Sequence, residues 1–463
     1  PEEIVAAVAR CAEERPGDGW ITGGRWGSAV FPDTNPHKAL LDAVAPDRPV
    51  ILAEESGHAV WVNSKALELA GIDATTEAPP GGLIMRDADG EPTGTLKETA
   101  AALARAAVPP ASPHQRQEAA AWAMRRLVAH GVTSMKDAWA LRPSLEAYSA
   151  LEDRGELPMR VATSIVWYSG ADEGTDPADL LALRDEFASD RIATGFAKLM
   201  LDGVPTTSRT AAMLDPYLGE SPEEAAVDRL LIDREALRDL VTRLDAEGVT
   251  VKMHAAGDAS VRASLDAIEA ARERNGSSGL PHEVGHAGFV HPDDLPRFAA
   301  LGAVMEVSPY IWYPTPITDV AIREVVGEAR MADFWPIRSG VDAGANVVAG
   351  SDWPVVPDLN PWRAMEAMVT REDPDAGFAG VLGPHQAVSV AQAIEILTRN
   401  GAVALRQDGR VGTLEVGKRA DLVVLDRDLF AIPPHEIGET RVEMTVVDGE
   451  VVYERSDSLG SGG

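Results

Sequence analysis

Val249-Thr250-Val251-Lys252-Met253-His254 is a β-branched, apolar run that ends on an imidazole. Three other runs end alike, on a side chain able to bind a metal: Gly195-Phe196-Ala197-Lys198, the stretch from His282 to His286, and Ala345 to Asp352. One such ending carries little information. Four of them, spread over a repeating strand–helix pattern, predict a ring of ligands at one mouth of a barrel, where barrel enzymes place their chemistry.

The pattern runs outward from there. Period-two apolar runs predict strands at 132–137, 160–167, 194–201, 249–254, 283–287, 303–309 and 345–351, and helical periodicity fills the gaps, for example at 233–247, 259–274, 292–301 and 332–343. Regular βα alternation implies an α/β fold with a parallel sheet and helices outside. At this length the expectation is a (β/α)8 TIM-type barrel over about residues 1–400. Only seven strands can be counted, so the first barrel strand is expected to be missing. Pro1 falls within an amphipathic helical pattern, so the natural N-terminus is expected to lie upstream. No Gly-x-Gly-x-x-Gly turn follows a strand, which counts against dinucleotide binding.

Residues 20–100 read as an inserted β-rich subdomain with a hairpin at Asp87-Ala88-Asp89-Gly90. A helix is expected at 389–399, a small β-sandwich domain over 401–455, and a disordered Gly/Ser-rich tail over 456–463.

Bulk properties narrow the partners. The formal charge of −31 argues against nucleic acid and anionic membrane, which need clustered Lys and Arg. Cys11 is the only cysteine, so neither an internal disulfide nor a cysteine-built zinc site is available. No apolar run reaches eighteen residues. A cytoplasmic protein acting on a small molecule is expected, with self-association left open.

With the visible strands numbered two to eight, Lys198 ends strand four, His254 five, His286 six and Asp352 eight. Imidazoles and carboxylates suit zinc and similar divalent ions. An ammonium does not ligate, but a buried lysine of lowered pKa can form a carbamate with carbon dioxide and present two oxygens. The competing reading of Lys198 is a buried ion pair, with Asp202 or another carboxylate. For Asp352 the competing role is a helix N-cap. His282 stands four residues before His286, about 13 Å away on a strand, and reads as structural. Asp258 reads as a helix cap and Asp202-Gly203 as loop geometry. Trp20, Trp26, Trp61, Trp312 and Trp353 fall in loops or near strand ends, where aromatic rings line apolar pockets or pack cores.

Together these motifs resemble the amidohydrolase superfamily, in particular its amidohydrolase-3 branch, which includes N-substituted formamide deformylases. The residues that carry the resemblance are Ser56-Gly57-His58-Ala59-Val60-Trp61-Val62-Asn63-Ser64, Pro92-Thr93-Gly94-Thr95-Leu96-Lys97-Glu98, Gly131-Val132-Thr133-Ser134, Lys198-Leu199-Met200-Leu201-Asp202-Gly203, His254-Ala255-Ala256-Gly257-Asp258, Gly285-His286, Gly350-Ser351-Asp352-Trp353-Pro354-Val355 and Gly417-Lys418-Arg419-Ala420-Asp421-Leu422-Val423. The resemblance implies a metal-dependent hydrolase of a C–N bond with one or two divalent ions, usually zinc. Lys198, carboxylated, would bridge two ions; His254, His286 and Asp352 would ligate. Asp352 would also take a proton from water and pass it to the leaving amine. His58, Trp61 and Trp353 are the expected substrate-binding residues. The family's His-x-His pair is absent from the sequence, in keeping with the missing first strand. Two alternatives stay open: an inactive fragment or non-catalytic binding relative, and a C–O or P–O ester hydrolase on the same site.

Overall fold

The structure, a computed structural model, describes residues 1–463 apart from 27–30, 32–34, 55–58, 80, 169–176, 207, 312, 357 and 456–463. The chain divides into two units, Pro1–Ser112 and Pro113–Gly463.

The first unit is built on a five-stranded sheet: β1 (Ile21–Trp26), β2 (Val50–Glu54), β3 (Ala59–Val62), β4 (Gly82–Arg86) and β5 (Pro92–Glu98), in the order β1-β2-β3-β5-β4. The Asp-Gly hairpin forms where expected, with Asp87 Oδ1 accepting the backbone N–H groups of Asp89 and Glu91. Trp61 is wholly buried. Its ring stands edge-on to Trp26 and Phe31, with centroids 6.2 and 5.1 Å away. Its expected place in a substrate pocket therefore gives way to a packing role, because the alternation of β3 turns it into the core shared with Val8, Ile21 and Leu41. His58 lies outside the described residues, as does Trp312.

The second unit contains the barrel wall: β6 (Ser134–Ala140), β7 (Arg160–Tyr168), β8 (Ile192–Met200), β9 (Thr250–Ala255), β10 (Glu283–His286), β11 (Val304–Val307) and β12 (Asn346–Ala349). All neighbours pair in parallel and in chain order. These are the seven strands read from the sequence, and they make a TIM-type barrel wall. β6 and β12 are the ends of the hydrogen-bonded order, and no further strand joins them among the described residues. The sheet is curled rather than flat. Lys136 Nζ on β6 lies 2.5 Å from Glu283 Oε2 on β10, although three strands separate them. Only side chains pointing into a curved interior can meet that way.

Helices cover the outside. Arg234–Ala246 starts at Asp233, whose carboxylate caps the N–H groups of Glu235 and Ala236. Asp258 is the first residue of helix Asp258–Asn275 rather than its cap, and its Oδ1 accepts the Leu214 N–H. The helix expected over 332–343 is shorter, Ile337–Asp342. Pro336 has no N–H to extend it backwards, and Trp335 before it has φ +55°.

Near the C-terminus β13 (Leu422–Leu425), β14 (Val442–Val447) and β15 (Glu450–Glu454) make one antiparallel sheet, not a two-layer sandwich, among the described residues. It belongs to the second unit and is pinned there by buried Arg160, which pairs with Asp421 and Asp448. The expected disordered tail, 456–463, lies outside the described residues. No helix of the described residues is long and apolar enough to cross a membrane.

At the N-terminal end of β10, His282 is structural. Its Nε2 is 2.8 Å from Asp245 Oδ1, and its Nδ1 accepts the Val251 N–H at 3.0 Å. Asp245 also accepts from Arg272, Asn275 and Ser278. Burial pushes the Asp245 carboxyl up, but hydrogen bonds from His282, Ser278 and Asn275 outweigh it and hold the pKa below the usual value. Burial keeps the His282 imidazole below its own usual value. Both shifts mean that the unfolded chain binds more protons in acid, so this network's contribution is complete near neutrality, begins to fall below about 6.5 as His282 is affected and below about 4 as Asp245 is, and is lost as pH reaches the lower folded values. His282→Ala should lower stability by roughly 1–3 kcal/mol at pH 7 and flatten that acid dependence, measured by urea unfolding between pH 4 and 8.

Candidate active site

Parallel register sets His254 and His286 within one residue of the same level, with Lys198 two residues lower, level with Lys252. Met200 pairs with His254, and His254 with Gly285, so β8, β9 and β10 finish side by side; β11 then separates β10 from β12.

His254 is buried and held from behind by Asp202, the residue after next beyond β8. The Asp202 carboxylate takes five hydrogen bonds. Oδ1 accepts from His254 Nδ1 at 2.9 Å and the Ala256 N–H at 3.1 Å. Oδ2 accepts from the Ala212 and Gly257 N–H groups, both at 3.0 Å, and from Ser260 Oγ at 2.7 Å. An ionised carboxylate only accepts, so Nδ1 of His254 carries the hydrogen and Nε2 of a neutral ring keeps its lone pair. Asp202 is thus more than loop geometry: it orients a candidate ligand.

His286 follows the same logic. Its Nδ1 shares a hydrogen bond of 3.1 Å with Ser308 Oγ, and its ring meets that of His254 edge-on at 4.6 Å between centroids. Burial, then the charges of His254, Lys198 and Lys252, hold its pKa well below the usual histidine value, which favours the neutral, ligating form. His286, Ala287 and Asp352 all have positive φ, at 69°, 43° and 55°. Left-handed backbone is unfavourable for side chains of this kind, and such strain gathers at functional sites.

Lys198 and Asp352 are the unsatisfied members. Neither side chain has a hydrogen-bond or ion-pair partner among the described residues, and Lys198 is 4% exposed. Burial and then the charge of Lys252 pull the Lys198 amine down to about 8. Burial and then the charge of Glu306 push the Asp352 carboxyl up. The alternative pairing of Lys198 with Asp202 does not form, because Asp202 is committed elsewhere. The alternative N-cap role for Asp352 does not arise either: its backbone carbonyl, not its carboxylate, accepts from Val355.

The donor chemistry fits a divalent ion: two imidazoles with Nδ1 engaged, a carboxylate without a partner, and an amine lowered enough to be modified. The spacing is more open than a finished cage. Among the described residues no group of three or more His, Cys, Asp or Glu side chains stands close enough to hold an ion unaided.

Trp353, next to Asp352, is half-buried and stacks on Trp122 of helix Pro113–Ala129, with centroids 6.1 Å apart and planes at 26°. Trp122 is 51% exposed, with the Arg126 guanidinium 5.0 Å from its ring. This pair forms an aromatic ledge beside the Asp352 loop.

One layer below lies a feature the sequence reading missed. Lys252 Nζ bridges Glu283 Oε1 at 2.5 Å and Glu306 Oε2 at 2.6 Å, and Lys136 holds the other oxygen of Glu283. The signal was present: each is a lone charge in an apolar strand, on the inward-facing alternation. Burial works against the Lys252 charge, yet the two carboxylates hold its pKa above the usual lysine value.

Asp202→Ala would strand His254 Nδ1 and three backbone N–H groups, while Ser260 Oγ keeps its bond to the Gly257 carbonyl. A loss of at least about 3 kcal/mol is expected in chemical denaturation, and Asp202→Asn should recover only part of it, because its amide nitrogen would face backbone N–H donors on one side.

Comparison with known proteins bears on the family and the fold. A model described as the amidohydrolase family matches residues 1–453. YtcJ of Bacillus subtilis is 29% identical over 465 residues, covering 98% of this chain and 84% of that protein. The N-substituted formamide deformylase of Arthrobacter pascens is 29% identical over 476 residues, covering 99% of this chain and 83% of that protein. Among solved structures, an uncharacterized metal-dependent hydrolase from Pyrococcus horikoshii superposes with a TM-score of 0.71 at 24% identity, over 94% of this chain and 81% of that one, a likeness of fold.

Proposed function

The chain belongs to the amidohydrolase family, and from that premise we propose that it hydrolyses a C–N bond of a small N-substituted amide with the help of a divalent metal, zinc by preference. The observation that carries this reading is the pair of imidazoles whose Nδ1 atoms are taken by Asp202 and Ser308, beside a buried amine and a half-buried carboxylate that have no partner among the described residues. The name of the Arthrobacter pascens relative makes a formamide the first substrate to try.

In this reading His254 and His286 would hold the metal through Nε2, and Lys198, if carboxylated by carbon dioxide, would complete the set with Asp352. A bound divalent ion supplies Lewis acidity and brings the pKa of water to about 7. Asp352 takes the proton from the attacking water and returns it to the leaving nitrogen. Its partially buried carboxyl, already raised by burial and by Glu306, is suited to both halves of that exchange. Lys198 suits carboxylation, since burial brings its amine down to about 8, while Lys252 is held as an ammonium by its two carboxylates. The Trp353–Trp122 ledge offers an apolar face for the N-substituent.

Elemental analysis should find one or two zinc-like ions per chain, reduced in His254→Ala and His286→Ala. Metal-free protein whose stability is unmoved by chelation would sink the reading. Asp352→Asn should lower kcat on formamides by roughly 10²–10⁴-fold while metal is retained. Turnover of esters alone would point to C–O hydrolysis instead.

A further inference from the structure

Strand β11 and the residue that follows it reach His286 twice. Ser308 holds the ring, and Glu306 Oε2 accepts the His286 backbone N–H at 3.3 Å. That N–H belongs to the left-handed turn formed by His286 and Ala287. Glu306 is itself 7% exposed and clamped by Lys252, which Glu283 holds in turn. The carboxylate also occupies space where two side chains would begin. A Cβ on Gly350 would stand 2.0 Å from Glu306 Oε1, and one on Gly285 would stand 3.0 Å from Oε2. Gly285 precedes His286, and Gly350 lies two residues before Asp352. The glycines therefore admit a carboxylate between the ends of β10 and β12. A clamped carboxylate cannot yield to a new methyl group without giving up Lys252 or the His286 N–H.

We propose that Glu306 is a positioning residue of the site: braced by Lys252, its carboxylate holds the left-handed turn that presents His286 and, by filling the space above Gly285 and Gly350, sets the spacing of the strand ends that carry His286 and Asp352. The proposal rests on the reading of those two residues as site residues. Glu306 acts through them and touches neither substrate nor metal. The lysine is needed because a carboxylate buried here alone would be expelled or protonated.

Four proteins test it: wild type, Glu306→Gln, the double variant Lys252→Met/Glu306→Leu, and Gly350→Ala. The double variant removes the clamp without leaving a bare ammonium in the barrel; Gly350→Ala displaces the carboxylate without altering charge. Deuterium uptake over residues 283–290, read on metal-free protein, should rise roughly tenfold in rate in the double variant and in Gly350→Ala, as for loss of a hydrogen bond to a charged group. Glu306→Gln, which keeps an acceptor of the same size, should stay near wild type. Uptake over residues 234–246 should be unchanged in all four. Cobalt added to the same proteins should give altered visible absorption in the double variant and in Gly350→Ala, and a fall in kcat with KM little changed. Wild-type uptake over 283–290 in both disruptive variants would overturn the proposal, whatever the metal does. Wild-type protein that takes up no cobalt would overturn the metal reading alone, with the exchange rates still deciding Glu306.

Discussion

Lys252 sits between Glu283 and Glu306, 2.5 and 2.6 Å from their oxygens, in a place where most proteins would put aliphatic side chains. Charges removed from water must be paired, and removing one partner of a buried pair typically destabilises by about 3–5 kcal/mol. The ladder therefore dictates geometry. Lys136 joins it from β6, so the ladder spans the interior from β6 to β11 and holds the sheet in its curl. Among the described residues, Lys136, Lys198 and Lys252 lie among the carboxylates of Glu283, Glu306 and Asp352 in the barrel and at its mouth. Two lysines and two carboxylates satisfy one another. Lys198 and Asp352 are left over, and they are the residues that the proposed chemistry needs to find without partners.

This layering separates two jobs that polar residues do in one cavity. The lower layer is saturated and rigid. The upper layer has groups whose other atoms are committed, His254 to Asp202 and His286 to Ser308, while one atom of each stays free. A site prepared in this way needs little rearrangement when a ligand enters, because the tautomers and ring planes are already chosen.

Much of this was legible in the sequence for a physical reason. Strands of a parallel barrel are buried on both faces, so they stand out as apolar β-branched runs, and all seven could be counted. A polar residue at the end of such a run is equally visible, which is how Lys198, His254, His286 and Asp352 stood out as candidates. The lone charges of the ion ladder were visible in their strands, but their pairing was not legible because it crosses strands: Lys252 and Glu306 are 54 residues and two strands apart. Asp202 looked like loop geometry because its five donors come from residue 212 and from 254 to 260, which only the fold brings near. Trp61 was misread because proximity to a strand end does not say which face an indole takes, and the face it takes is the core of the first unit.

Gly285 and Gly350 have an evolutionary consequence. A side chain at either position and a carboxylate at 306 claim the same volume, so the three positions cannot drift independently. A lineage that shortened residue 306 would release both glycines, and one that acquired a side chain at 285 or 350 would have to surrender the glutamate first. Among related chains these three columns should change together, glycines where 306 is acidic and larger residues where it is not, with the residue at 252 losing its charge in step.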